Sequence, residues 1–154
     1  MFRLWLIFFI LAYSHYANCN NPPPGETFVR KVEGKTFFIF HRRVNWMTAQ
    51  IECEKHGLTL ASVESRKQAE KLYAELRKIE PADAVIWIGG YNYQNDGLWR
   101  WVSNGQLIGY QNWSPGEPNQ KTKMENCSTI EMWREGVWND DECLKEFYYI
   151  CEFS

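Results

Sequence analysis

The sequence predicts an α+β domain, and three features predict it. Two stretches in the first half carry apolar residues at helical spacing behind good N-caps. The second half holds short β-branched and aromatic runs separated by Gly, Asn and Asp turns. Between those runs, residues 109–126 have no regular period and contain Pro115, Gly116 and Pro118. A loop of that length inside a compact domain usually carries function.

The chain starts with a different kind of segment. Arg3 precedes the apolar run Leu4 to Ala12, which is shorter than the roughly 20 residues a spanning helix needs. Ala17 and Cys19 then sit like the small residues of a cleavage site. Residues 1–19 are therefore read as a signal peptide rather than a short membrane anchor. Residues 20–27, with Pro22, Pro23 and Pro24, read as an extended linker. Residues 28–154 form the folded domain. No second apolar run is long enough to cross a membrane, so the expected product is secreted and extracellular.

Composition narrows the function classes. With 154 residues the chain is about one domain long. Charged residues make up 23%, and the net charge is -2. That balance gives no reason to expect a nucleic-acid partner or a membrane-coating face. The 45% hydrophobic and 16% aromatic content argues against disorder.

The elements follow in order. Phe28 to Val32 and Thr36 to Phe40 flank Glu33-Gly34, which reads as a hairpin turn. Asn45 caps a helix with Trp46, Ala49 and Cys53 on one face, and Gly57 suits its end. Ser65-Arg66-Lys67-Gln68 is a capping box opening a second helix. Its face is Ala69, Leu72, Leu76 and Ile79, and Pro81 lies past its end. Strands are expected at Val85 to Ile88, Leu98 to Val102, Cys127 to Met132, Val137 to Asn139 and Phe147 to Cys151. They are expected to build antiparallel sheets.

Cys53, Cys127, Cys143 and Cys151 would remain after cleavage, and they allow three pairings. Zinc is the competing use. The chain has no C-x-x-C, and His41 and His56 lie far from the later cysteines, so disulfides are the better reading.

The long loop holds the chemistry. Glu117-Pro118-Asn119, Glu125 and Asn139-Asp140 are short oxygen donors on either side of Cys127. Calcium takes 6–8 oxygens from carboxylates and carbonyls, and this set offers about six. The remaining positions suit two neighbouring sugar hydroxyls. A hydroxyl on the metal can still donate to Glu117 or Glu125 and accept from the NH₂ of Asn119 or Asn139. A cis bond before Pro118 would aim its neighbours at one ion. The same residue types also crowd ordinary surface loops, so composition leaves a metal site and a plain loop both open.

The ordered set Asn45-Trp46, Cys53, Gly57, Leu60-Ala61-Ser62-Val63 and Trp87-Ile88-Gly89 continues with Trp113 and Glu117-Pro118-Asn119. Cys127, Trp138-Asn139-Asp140, Cys143 and Tyr149-Ile150-Cys151-Glu152 complete it. In this the chain from about Phe28 to Glu152 resembles the C-type lectin domain family. The resemblance implies a C-type lectin-like fold with disulfides Cys53–Cys151 and Cys127–Cys143. It implies that Glu117, Asn119, Glu125, Asn139 and Asp140 bind both Ca2+ and sugar. It further implies a mannose-type preference, since Gln-Pro-Asp rather than Glu-Pro-Asn goes with galactose-type sugars in the family. The family's second calcium site would fall on Asn92, Asp96, Gln120, Glu125 and Asn126. Three of these are amides, so that site is expected to be weak or empty.

Other features read more plainly. Trp87, Trp99, Trp101, Trp113 and Trp138 are expected in the core, and Trp133 beside the Arg134-Glu135-Gly136 turn is expected to be exposed. Sequons at Asn112 and Asn126 are disfavoured by Pro115 and by Cys127. Neither Gly-x-Ser-x-Gly nor His-Glu-x-x-His occurs, so no enzyme is expected. The expected function is secreted, calcium-dependent binding of mannose-, fucose- or GlcNAc-type glycans, with a role in innate defence. Glycans on glycoproteins or microbial surfaces are the expected partners, and self-association would supply avidity. The alternatives are galactose-type specificity or a sugar-independent protein-binding module.

Overall fold

The computed structural model describes residues 27–94 and 96–153. The expected signal peptide at 1–19, nearly all of the expected linker and Asn95 lie outside the described residues. The elements are β1 (Thr27–Val32), β2 (Lys35–Val44), α1 (Trp46–Glu54), β3 (Leu58–Leu60), α2 (Arg66–Leu76) and β4 (Val85–Tyr91). They continue with β5 (Arg100–Trp101), β6 (Glu125–Glu131), a 3₁₀ turn (Met132–Arg134), β7 (Val137–Glu142) and β8 (Phe147–Phe153). The C-type lectin-like α+β architecture, with two helices, many strands and two disulfides, is what the sequence predicts.

The local signals act where expected. Glu33 and Gly34 both take positive φ, 49° and 84°, and close the β1–β2 hairpin. Asn45 accepts from Thr48 N at 2.8 Å, and Ser65 accepts from Gln68 N at 3.2 Å. Gln68 reaches back one residue further than in a simple capping box, to Glu64 N at 2.7 Å. Helix α2 ends at Leu76, so Ile79 packs from the following turn. Pro81 biases the preceding residue away from helix.

The sheet runs β1-β2-β8-β4-β6-β7, with β3 paired to β8 and β5 to β4. One pairing departs from the antiparallel expectation: β4 lies parallel to β8, matching Ile86 with Tyr148 and Trp87 with Tyr149. The reason is topological. β8 is the last strand and slots between β2 and β4, antiparallel to β2, so β4 meets it running the same way. Cys53–Cys151 ties this closing strand to α1.

Both faces of the middle of the sheet are covered. Phe37 and Ile39 of β2 enter one core with Leu72, Leu76, Ile86 and Trp138. Phe38 and Phe40 enter the other with Trp46, Trp87 and the Cys53–Cys151 bridge. A strand buried on both sides reads as a continuous apolar run, as Phe37 to Phe40 does. Trp87 donates to Val44 O at 2.9 Å and Trp46 to Ile88 O at 2.8 Å, so both indoles satisfy their polar edge inside the core. Trp99, Trp101 and Trp138 are also buried, Trp113 is partly so, and Trp133 is 54% exposed.

Candidate calcium and sugar site

β6 and β7 form an antiparallel pair, with Ser128 opposite Asp140 and Thr129 opposite Asn139. Cys127–Cys143 staples this end of the pair, and the long loop leaves from it. The middle of β7 presents Asn139 and Asp140, and the loop returns Asn119 and Gln120 against Asp140.

Ser114 N donates to Trp138 O at 2.8 Å, and Glu117 N donates to Ser114 O at 2.9 Å. These bonds lay the loop beside β7. The Glu117–Pro118 bond is cis. Asp140, 2% exposed, accepts from Asn119 N at 3.2 Å and from Gln120 N at 2.8 Å. Its carboxylate therefore holds the loop tip by two charge-assisted bonds. Asn119 Oδ1 accepts from Lys121 N at 2.6 Å, and Glu125 Oε2 from Thr122 N at 3.0 Å. Asn139 is anchored through its backbone, whose O accepts from Thr129 Oγ1 at 3.2 Å.

Glu117 is the strained member electrostatically. Burial pushes its carboxyl above the usual range, and a hydrogen bond and like charge from Asp140 push it further. Its Oε2 is buried without a hydrogen-bond partner. A buried acceptor facing a second carboxylate is a place where a cation would neutralise charge. The nearby donors are oxygens, which suits a hard ion. Among the described residues, no three His, Cys, Asp or Glu side chains gather as a metal cluster. The contacts thus bring together the carboxylate pair Glu117 and Asp140 with the Asn119 backbone, while Glu125 is bonded to Thr122 and Asn139 to Thr129.

The second family site is arranged differently. Asn92 N donates to Asn126 O at 2.9 Å, and both side chains are buried. Neither polar atom of the Asn92 amide has a partner, nor does Asn126 Oδ1 or Gln120 Nε2. Asp96 is engaged elsewhere, by Leu98 N at 2.8 Å and Arg100 at 3.3 Å. The hydrogen bond from Leu98 and the Arg100 charge hold its carboxyl below the usual range.

The sequon at Asn112 points its Nδ2 at Gly136 O, 3.2 Å away. It lies on a separate cavity of about 260 Å³ with Arg66, Glu70, Tyr73 and Tyr110, and none of the predicted site residues lines it. The sequence reading missed Arg134. This residue donates to Ser114 Oγ at 3.2 Å and pairs with Glu131 at 3.3 Å, and its charge draws the Glu117 carboxyl down. Nothing in a turn reading of 134–136 signals that reach, because it depends on the loop docking against β7.

The family model described as Lectin C-type domain matches residues 42–153. Salivary C-type lectin 2 of Aedes albopictus is 31% identical over 132 residues, covering 79% of this chain and 86% of that protein. The galactose-specific lectin nattectin of Thalassophryne nattereri is 28% identical over 119 residues, covering 77% and 74%. Among solved structures, the C-type lectin CEL-I from Cucumaria echinata superposes with a TM-score of 0.73 at 24% identity, covering 87% of this chain and 100% of that one. That last likeness speaks to fold alone. The match over most of the folded residues shows that this chain belongs to the C-type lectin domain family.

Proposed function

We propose that this protein is a secreted, calcium-dependent lectin for mannose-type sugars that recognises glycans in innate defence. The observation that carries the reading is the pairing of Glu117 with Asp140 beside Asn119, with the buried Glu117 Oε2 unpartnered. Glu117, Asn119, Glu125, Asn139 and Asp140 would hold the ion. When bound, calcium offers open coordination positions to two neighbouring sugar hydroxyls. The protein groups do the rest. The carboxylates of Glu117 and Glu125 accept from those hydroxyls, and the NH₂ groups of Asn119 and Asn139 donate to them. Acceptors and donors in this pairing satisfy each hydroxyl in both directions. The Glu-Pro-Asn order supports equatorial neighbouring hydroxyls, as in mannose, fucose and GlcNAc-type ligands. The chemistry is binding, not catalysis: a bound ion would keep both glutamates ionised and leave no proton donor for glycoside cleavage.

A shallow site of this kind holds a monosaccharide near the millimolar range, about −4 kcal/mol. Clustered glycans or self-association would convert that into useful avidity. The test is retention on mannose and galactose resins with and without a chelator. Chelator-sensitive retention on mannose supports the reading. Retention on galactose alone would transfer the specificity to the class named for nattectin. A second reading, a sugar-independent module, draws on the Asp140 carboxylate already engaged by two backbone N–H groups. Failure to be retained on either resin at any calcium concentration would favour it.

A further inference from the structure

Trp133 is exposed, yet its position is not arbitrary. The guanidinium of Arg134 lies 4.1 Å from its ring centroid, which covers one face of the indole. Arg134 is itself fixed at two points, Ser114 Oγ at 3.2 Å and Glu131 at 3.3 Å.

Those two anchors locate the guanidinium. β7 runs between β6 on one side and the Trp113 bridge on the other. Glu131 is the register partner of Val137, so the two share a face with Asn139 two residues on. Ser114 follows Trp113, which pairs with the core-facing Trp138, so Ser114, itself buried, belongs to that same face of β7 opposite Trp138. An arginine bonded to both Ser114 and Glu131 therefore crosses β7 on the face that presents Asn139. Ser114 is also the residue whose carbonyl receives Glu117 N. From Gly136, where the Trp133 turn hands over to β7, to Asn139 is about 10 Å of strand at 3.2–3.4 Å per residue. That is about the span of two linked hexoses.

We infer that the outer face of the Trp133 indole, backed by Arg134, is a stacking platform for a second sugar residue beside the calcium-bound one. The ligand class is then an oligosaccharide rather than a monosaccharide. This rests on the proposed lectin function and deepens it. A sugar ring presents an apolar C–H face, and an indole held flat by a cation offers a matching surface at little cost in side-chain freedom. Arg134 acts as a positioning residue. Its Nη1 is held by Ser114 and Glu131 while its guanidinium backs the indole, so its part is to hold the ring.

The experiment compares mannose with a linear mannotriose, and galactose with a galactotriose, by titration calorimetry in calcium. Wild type, Trp133→Ala and Trp133→Phe are measured. The expected result is a trisaccharide affinity about five- to tenfold above the monosaccharide in wild type. Trp133→Ala should abolish that ratio while monosaccharide affinity stays within about twofold, and Trp133→Phe should restore part of it. The trisaccharide, unlike the monosaccharide, should also shield wild-type fluorescence from acrylamide quenching, and Trp133→Ala should remove that shielding. A trisaccharide advantage that survives Trp133→Ala overturns the platform and leaves the calcium site standing. A wild-type protein that binds the monosaccharide and shows no trisaccharide advantage overturns it as well. A wild-type protein that binds none of the four sugars overturns both readings.

Discussion

Asp140 closes the loop against β7 through two backbone N–H groups and stands against Glu117. Replacing it by Ala removes both anchors and one carboxylate. Asp140→Ala is expected to abolish calcium-dependent retention on the sugar resin and to lower the melting temperature by several degrees, since each lost charge-assisted bond is worth about 1.5–3 kcal/mol. Unchanged retention would show that the site lies elsewhere. Glu117 gives a pH test. Burial first, and then Asp140, raises its carboxyl above the ordinary range. The folded, metal-free chain therefore binds that proton more tightly than the unfolded chain does. The associated stability is fully present below the ordinary glutamate value and is lost as pH rises through the raised one. Glu117→Gln should flatten that fall in chelator-treated melts and give a higher melting temperature than wild type at neutral pH. Added calcium should then stabilise wild type more than Glu117→Gln, which keeps a ligand oxygen but loses its charge. Melts of the two proteins with the same pH slope would count against this account.

The buried carboxylates away from the site illustrate the opposite solution. Glu152 is 4% exposed, but it is paired with Lys35 at 3.0 Å and accepts from Ser62 N at 3.1 Å and Ser62 Oγ at 2.6 Å. Glu80, also buried, meets the His41 ring. These residues read from sequence as ordinary polar positions, because their partners lie 90, 117 and 39 residues away.

Strand β4 carries the sharpest constraint among the elements. A Cβ on Gly89 would come within 2.7 Å of Leu60 O and 3.2 Å of Ala61 O, both backbone atoms. The neighbouring strand cannot yield there without breaking the Gly89 N to Ala61 O bond at 2.8 Å. Gly89→Ala is expected to destabilise by about 1–3 kcal/mol, read as an earlier urea midpoint with the same slope. A midpoint within error of wild type would mean that the strands can part enough to admit the methyl group. Strand β3, which holds Leu60, explains a miss. β3 is three residues long, too short for periodicity to reveal, and it exists because β8 offers Cys151, Glu152 and Phe153 as partners. The strand expected from Leu98 to Val102 shrinks to Arg100–Trp101 for the matching reason: β4 offers only Gly90 and Tyr91 to it.

For the whole molecule, the two disulfides act over different ranges. Cys53–Cys151 spans 98 residues and joins the first helix to the closing strand, whereas Cys127–Cys143 spans 16 and staples the end that carries the candidate site. Replacing Cys127 and Cys143 together by Ala should cost about 3 kcal/mol by loop entropy. It should also lower sugar retention more than Gly89→Ala does when both are assayed at a temperature where each is fully folded. Equal retention in the two variants would show that the staple serves stability alone.

The sequence by itself determined the local pieces. The Glu33-Gly34 turn, the caps at Asn45 and Ser65, the buried run at Phe37 to Phe40 and the exposed Trp133 all follow from side-chain size, periodicity and turn chemistry, which act within a few residues. It also offered Glu117, Asn119, Glu125, Asn139 and Asp140 as candidate oxygen donors on the long loop and the strands beside it. Tertiary structure decided what distance along the chain conceals. It set the parallel β4–β8 pairing, the facing of Glu117 and Asp140 that raises one carboxyl, and the fold-back of Arg134 across β7 onto Ser114 and Glu131. Each of these needs segments far apart in sequence to meet, and the energy of such contacts exists only after the chain has closed.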